Sequence, residues 1–136
     1  FLITAAAIPS IEMNFFEVPF RGRVLQYPGD RPAPGDWTTT FYNDTDFMIK
    51  TAMERWSNGI NDFALNTGTS NPADYQADLI VEQLDRDDTI LKTYILRNCF
   101  PTTIGEITLE TANQDAIETF DVTWKYQHLE ASGVNF

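Results

Sequence analysis

The stretch that most constrains this chain is Ile117 to Glu130, IETFDVTWKYQHLE, where apolar and polar side chains alternate. At a period of two, Phe120, Val122, Trp124 and Tyr126 share one face, and Thr119, Asp121, Thr123, Lys125 and Gln127 share the other. This alternation predicts one strand, dry on one side and wet on the other. It would run roughly 40 Å at about 3.3 Å per residue, whereas ordinary strands average about 5–6 residues.

Composition narrows what such a strand can serve. The chain has 136 residues, 43% of them hydrophobic and 21% charged, which suits one globular domain spanning 1–136. A formal net charge of -11 disfavours any grip on nucleic acid or on an anionic membrane. A single cysteine, Cys99, excludes an internal disulfide framework, and the single histidine, His128, leaves too few soft ligands for a zinc site. No apolar run is long enough to span a bilayer, and FLITAAAIPS lacks the basic start of a signal peptide. The expectation is a soluble protein from a reducing compartment, with no membrane insertion of its own. Because the sequence opens at Phe1, with no initiator methionine and straight into an apolar segment, an upstream piece is expected to be missing from it.

Residues 1–27 are rich in Ile, Phe and Val and broken by Pro9, Pro19 and Gly22, which predicts two or three strands. YPGDRPAPGDW reads as a stiff exposed loop, and WTTTFYND as a strand with Trp37, Thr39 and Phe41 on one side. One helix is predicted in NDTDFMIKTAMERWSNGI, with Asp44 or Thr45 as N-cap, Asp46 in the first turn and Gly59 as terminator. Its apolar stripe is Met48, Ile49, Ala52, Met53, Trp56 and Ile60. Residues 61–76 read as a long polar loop, ADLIVEQLDRDDTILKTYILRNCFP as a hairpin turning near Arg86 to Asp88, and GEITLE as a short strand. The fold class expected is mainly β: an antiparallel sandwich or partly open barrel of about six or seven strands with one flanking α-helix.

Catalytic and ligand motifs are sparse. His128 and Glu130 could form an acid–base pair, but an ordinary surface histidine near a strand end is the simpler reading. Cys99 lies in an apolar run, where cysteine acts as a small buried hydrophobe. DRDD lacks the glycine and closing glutamate of a calcium loop, and Asn43-Asp44-Thr45 is read as helix capping rather than glycosylation. Trp37, Trp56 and Trp124 could line a sugar site, yet their periodic placement, with Phe120 and Val122, points to core and helix packing. No phosphate loop, nucleophile elbow or metalloprotease motif is present, so neither catalytic nor cofactor-binding residues are assigned.

A long strand with free edges invites pairing with neighbouring copies, and head-to-tail pairing that closes would make a ring with a polar inner wall. At this point the residues carry a family resemblance. GDR followed by DWTTTFYND, RWSNGIN, NPADYQADLIVEQLDRD, CFPTTIGEITLE and IETFDVTWKYQHLE stand in the order seen in tail tube proteins of contractile-tailed bacteriophages. The resemblance covers roughly residues 8 to 130. Its most specific pieces are Phe100 to Glu106 and Thr119 to Thr123, supported by the spacing from Gly29-Asp30-Arg31 to Trp37.

The resemblance implies a hexameric ring with a continuous inner β-barrel, and rings stacked into a tube inside a contractile sheath. It implies as partners further copies of the chain, the sheath protein, the tape-measure protein, and the baseplate and tail-terminator proteins, with DNA passing through the lumen unbound. The location implied is the virion tail, after synthesis in the host cytoplasm. On this frame Thr119, Asp121, Thr123 and Lys125 are the expected lumen-facing residues. Asp30, Arg31, Asp36, Asn66, Thr69 and Asn71, in the loops at 28–36 and 61–76, are expected to meet the next ring. The acidity has two readings: carboxylates lining the lumen to repel phosphate within the roughly 8 Å screening length, or acid spread over all faces for solubility. RPAPG departs from the family pattern in the loop before Trp37. Rival readings are the ring-forming tube protein of type VI secretion and a monomeric carbohydrate-binding β-sandwich.

Overall fold

Short strands, most of them alternating in character, pair into two antiparallel sheets. The computed structural model describes residues 3–43, 45–62, 64–68, 70–107, 109 and 117–135. In chain order the elements are β1 (Ile3–Ala6), β2 (Phe15–Phe20), β3 (Arg23–Pro28), β4 (Trp37–Tyr42), α1 (Met48–Ile60), β5 (Ala77–Leu84), β6 (Ile90–Ile104), β7 (Thr119–Lys125) and β8 (His128–Ala131). Six strands form a sheet in the order β1-β4-β7-β6-β5, with β8 also on β6, and β2 and β3 form a separate ribbon. The chain is mainly β and antiparallel with one helix, and among the described residues it has eight strands rather than six or seven.

The core is built where the dry faces of β4 and β7 meet. Trp37 lies opposite Trp124, Thr39 opposite Val122 and Phe41 opposite Phe120. The tryptophan rings stand 6.4 Å apart and the phenylalanine rings stack at 5.7 Å. Trp56 comes down from α1 to meet Trp124 edge-on at 5.5 Å. Each indole N–H finds an acceptor: Trp124 the Thr39 hydroxyl at 3.0 Å, Trp37 the Ala7 carbonyl at 2.6 Å and Trp56 the Tyr75 carbonyl at 2.5 Å. These bonds account for a buried Thr39 in an apolar cluster. They also turn the tryptophans inward, away from any sugar.

The opening stretch is not one strand. β7 stops at Lys125, and the chain resumes as β8 at His128 on another part of β6. Even-numbered residues face the core up to Tyr126, and beyond the break Ala131 is buried while His128 is exposed. The longest strand is β6, whose first part pairs with β5 and β8 and whose last part pairs with β7. Its parity flips in step: Leu96 is buried, then Cys99 and Pro101. The flip falls at Asn98, which holds a left-handed φ of 56°. Such a residue rotates the strand, so one strand serves two sheet segments.

Helix α1 starts later than its capping signals suggest. Phe47 occupies the N-cap with φ 51° and no side-chain cap, so the helix begins after Asp46, while Asp44 lies outside the described residues. Gly59 sits inside the last turn, and the helix ends at Ile60. Ile49, Met53 and Trp56 pack on the core, whereas Met48 and Ala52 fall off the stripe and stay exposed. The GEITLE segment is not a strand over 105–107, because β6 ends where the Gly105 N–H bonds the Asp121 carbonyl. Two hairpins behave as their turn residues dictate. Arg21 and Gly22, both at positive φ, make the two-residue turn between β2 and β3, and Asp85 to Thr89 close β5 onto β6.

Two probes of this core should agree. Leu96→Ala, at a position fully removed from solvent, should lower stability by about 2–5 kcal/mol in urea denaturation. The Cys99 thiol, fully covered and pushed up to about 11 by burial, should resist thiol reagents until the same urea transition. A thiol that reacts fully before unfolding would contradict this packing.

Candidate functional site: the wet sheet face and its rims

The alternation that buries Trp37, Phe41, Phe120, Val122 and Trp124 leaves the other side of the sheet hydroxyl-rich. Across β4 and β7, Thr38 stands opposite Thr123, Thr40 opposite Asp121 and Tyr42 opposite Thr119. Thr40 donates to the Asp121 carboxylate at 2.7 Å, and Thr102 donates to the Thr123 carbonyl at 3.1 Å. At the neighbouring edge Thr4 reaches the Thr40 carbonyl at 3.4 Å. Thr119, Asp121 and Lys125 are exposed and Thr123 partly so, all opposite the core. On β7 the only carboxylate is Asp121, so this face is a hydroxyl surface with an isolated negative charge.

The loop residues fall into three situations. Asp36 ion-pairs with Lys125, which joins the 28–36 loop to the end of β7. Arg31 donates to the Glu12 carbonyl at 3.4 Å, and the Asp30 carbonyl accepts the Asn14 N–H at 3.1 Å, so both brace the chain leading into the ribbon. Asn71 caps a 3-10 turn at Pro72–Asp74 by accepting the Ala73 N–H at 3.3 Å. Thr69 lies outside the described residues.

Residues 61–62 and 64–68 close on themselves. Asp62 accepts the Ala64 and Leu65 N–H groups at 2.8 and 3.1 Å, and Asn66, at φ 51°, donates its N–H to the Asp62 carbonyl. Asn61 bridges to Gly68, where a Cβ would stand 2.2 Å from the Ile60 carbonyl oxygen; only glycine fits there. Tyr75 then packs edge-on against Phe100 at 6.0 Å. The 61–76 segment is therefore held to the body at both ends.

Two features were not singled out by sequence reasoning. One is the β2–β3 ribbon, every residue of which is exposed, including Phe15, Phe16, Phe20 and Val24. Apolar residues at successive positions of the strands predicted in 1–27 were the signal available. The other is a charge cluster at the β6 corner. Arg97 bonds Asp78 at 2.7 Å and Glu130 at 2.8 Å, and the Asn98 N–H bonds Asp78 at 3.0 Å. The Asn98 N–H and then Arg97 hold the Asp78 carboxyl below its usual range, and Arg97 does the same for Glu130. His128 stands 3.5 Å from Glu130, but a carboxylate so held is a poor base. No group of three His, Cys, Asp or Glu side chains converges among the described residues, and no helix among them is long and apolar enough to cross a membrane.

In fold the chain is similar to one from the sheath-tube complex of an extracellular contractile injection system, PVC. The TM-score is 0.70 at 18% identity, covering 95% of this chain and 79% of that one. The likeness is one of fold. The family of phage tail tube proteins matches residues 1–132, and the chain belongs to it. It is 30% identical over 118 residues to the tail tube protein of Serratia phage KSP90, covering 87% of this chain and 66% of that one. It is also 29% identical over 131 residues to tail tube protein gp19 of Enterobacteria phage T4, covering 96% of this chain and 80% of that one. Both relatives carry the name of tail tube protein, and the chain belongs to the same family.

The corner cluster makes a pH test. Asp78 and Glu130 titrate lower when folded than unfolded, so their contribution is present at neutral pH and is lost as pH falls through the lowered values. In urea midpoints measured downward from pH 7, the wild type should decline below about pH 4 more steeply than Arg97→Met. Identical acid limbs would mean that Arg97 does not hold the carboxylates.

Proposed function

We propose that the chain, as a single tail-tube domain, builds the inner tube of a contractile phage tail. Six copies close into a ring and the rings stack. The wet face of β4 and β7, with Thr119, Asp121, Thr123 and Lys125, turns to the lumen. The tube encloses the tape-measure protein during assembly and later conducts DNA, with the sheath protein outside and the baseplate and terminator proteins at its ends. The family match supports the phage reading over a secretion tube.

The observation that carries self-assembly is surface. The chain exposes 10236 Å², whereas a compact monomer of 15.5 kDa exposes roughly 7,200 Å². The surplus of about 3,000 Å² is of the order that obligate interfaces cover, roughly 2,000–5,000 Å². Much of it is apolar, in the β2–β3 ribbon and at Ile80, Leu84, Ile90 and Leu91 around the β5–β6 hairpin. Charged cargo would meet hydroxyls and one carboxylate per copy on β7, a lining that offers phosphate no cation beyond Lys125, already paired with Asp36.

Purified protein viewed by negative-stain electron microscopy should show hollow rings or tubes. Particles that stay monomeric at high concentration would contradict the reading. Asp121→Lys in the phage should leave tube length normal while slowing DNA delivery at least several-fold, and unchanged delivery would remove this face from the lumen.

A further inference from the structure

We propose that Asp36 sets the charge of the wet sheet face by masking Lys125, and so keeps that face from gripping the phosphates of passing DNA. The inference rests on the reading that this face lines the lumen, and it gives the face a residue expected from sequence to meet the next ring instead. Asp36 stands directly before Trp37, whose cross-strand partner is Trp124, so one rung further along it meets Lys125 in an ion pair. Lys125 follows the outward parity of Asp121 and Thr123, which places the pair on the wet side of the sheet. Toward β6, Lys125 lies opposite Phe100, which brings no charge. The run RPAPG leads straight into Asp36, and its two prolines restrict the chain that presents the carboxylate.

The face is a short stack of rungs. Thr40 and Asp121 form one, Thr38, Thr123 and Thr103 the next, and Asp36, Lys125 and Phe100 the last. In these rungs Lys125 is the one cation, and Asp36 and Asp121 are the carboxylates. Asp121 is four residues from Lys125. Along an extended strand that is about 13 Å at roughly 3.3 Å per residue, beyond the screening length of about 8 Å. The Asp121 carboxylate is also engaged locally, accepting the Thr40 hydroxyl. Asp36 is therefore the group that neutralises Lys125, and with it in place these rungs carry one net negative charge per copy. Without it the ammonium stands bare and the net charge of the rungs falls to zero.

A lysine that contacts a phosphate releases a condensed counterion, so each such contact strengthens as salt falls. In a ring of six copies, six bare ammonium groups would engage one duplex together, a grip that changes by roughly 10³-fold between about 50 and 200 mM salt. The ion pair itself does little for folding, since the Lys125 and Asp36 side chains are 47% and 54% exposed. Removing the Asp36 carboxylate is thus a change of surface charge that leaves the sheet intact.

The test uses the phage, with Asp36→Asn built in alone and together with Lys125→Gln. Tail length is measured by negative-stain electron microscopy, and the rate of DNA entry into host cells is followed in media of about 50 and about 200 mM salt. Asp36→Asn should build tails of normal length yet slow DNA entry roughly fivefold or more at the lower salt, with the delay fading at the higher. The double variant should recover the lost rate, because the unmasked cation is gone. Normal entry from Asp36→Asn at the lower salt, beside slowed entry from Asp121→Lys, would overturn the masking while leaving the lumen reading intact. Normal entry from both would defeat the lumen reading itself, and the masking with it. Shortened tails, or a delay that persists in the double variant or at the higher salt, would assign Asp36 to assembly and overturn the proposal.

Discussion

The structure depends on one corner. At Asn98 a strand that would otherwise run straight through the domain takes a left-handed step, which asparagine tolerates better than most side chains. The step is locked chemically: Asp78 accepts the Asn98 N–H, and Arg97 clamps Asp78 and Glu130 from two different strands. These bonds hold β5, β6 and β8 together where the ladder is irregular. Beyond the corner β6 hands over to β7, and the inward parity that seats Phe120, Val122 and Trp124 against β4 follows from that handover.

From this geometry comes a division of surfaces that suits a subunit better than a solitary domain. One sheet side is sealed by α1 and three tryptophans whose polar atoms are all satisfied. The other is kept wet by threonines that bond one another's strands and leave one carboxylate projecting from β7. The acidity noted in the sequence is therefore not concentrated on that face. Carboxylates also stand in the β5–β6 turn, in the loop at Asp62 and along α1. Carboxylates thus stand on several faces, and Asp121 is the one that β7 adds to the face proposed to line the lumen.

Much of the fold was legible because it rests on local periods. The two-residue alternation gave β4 and the faces of β7, turn residues gave the β5–β6 hairpin, and the apolar stripe gave the helix. The assignment failed where a long-range bond outweighed the local signal. Residues 117–130 alternate well enough to read as one strand, but Asn98 on the facing strand forces the shift at Tyr126 and Gln127. Asp46 resembled a first-turn residue, yet Phe47 takes the cap in a left-handed conformation that no pattern of residue types marks. The predicted stacking residue Asp36 and the predicted lining residue Lys125 proved to be partners, which sequence distance concealed. The Arg97 clamp joins residues from three strands and leaves no trace in spacing.

The central claim is that copies of this chain cover much of the apolar surface it exposes, the β2–β3 ribbon included. Hydrogen exchange of the ribbon amides, compared between assembled particles and protein kept monomeric by dilution, tests it most directly. Amides of residues 15–28 should exchange rapidly in the monomer and be protected at least a hundredfold in the assembly. Equal exchange in the two states, rapid or slow, would contradict it.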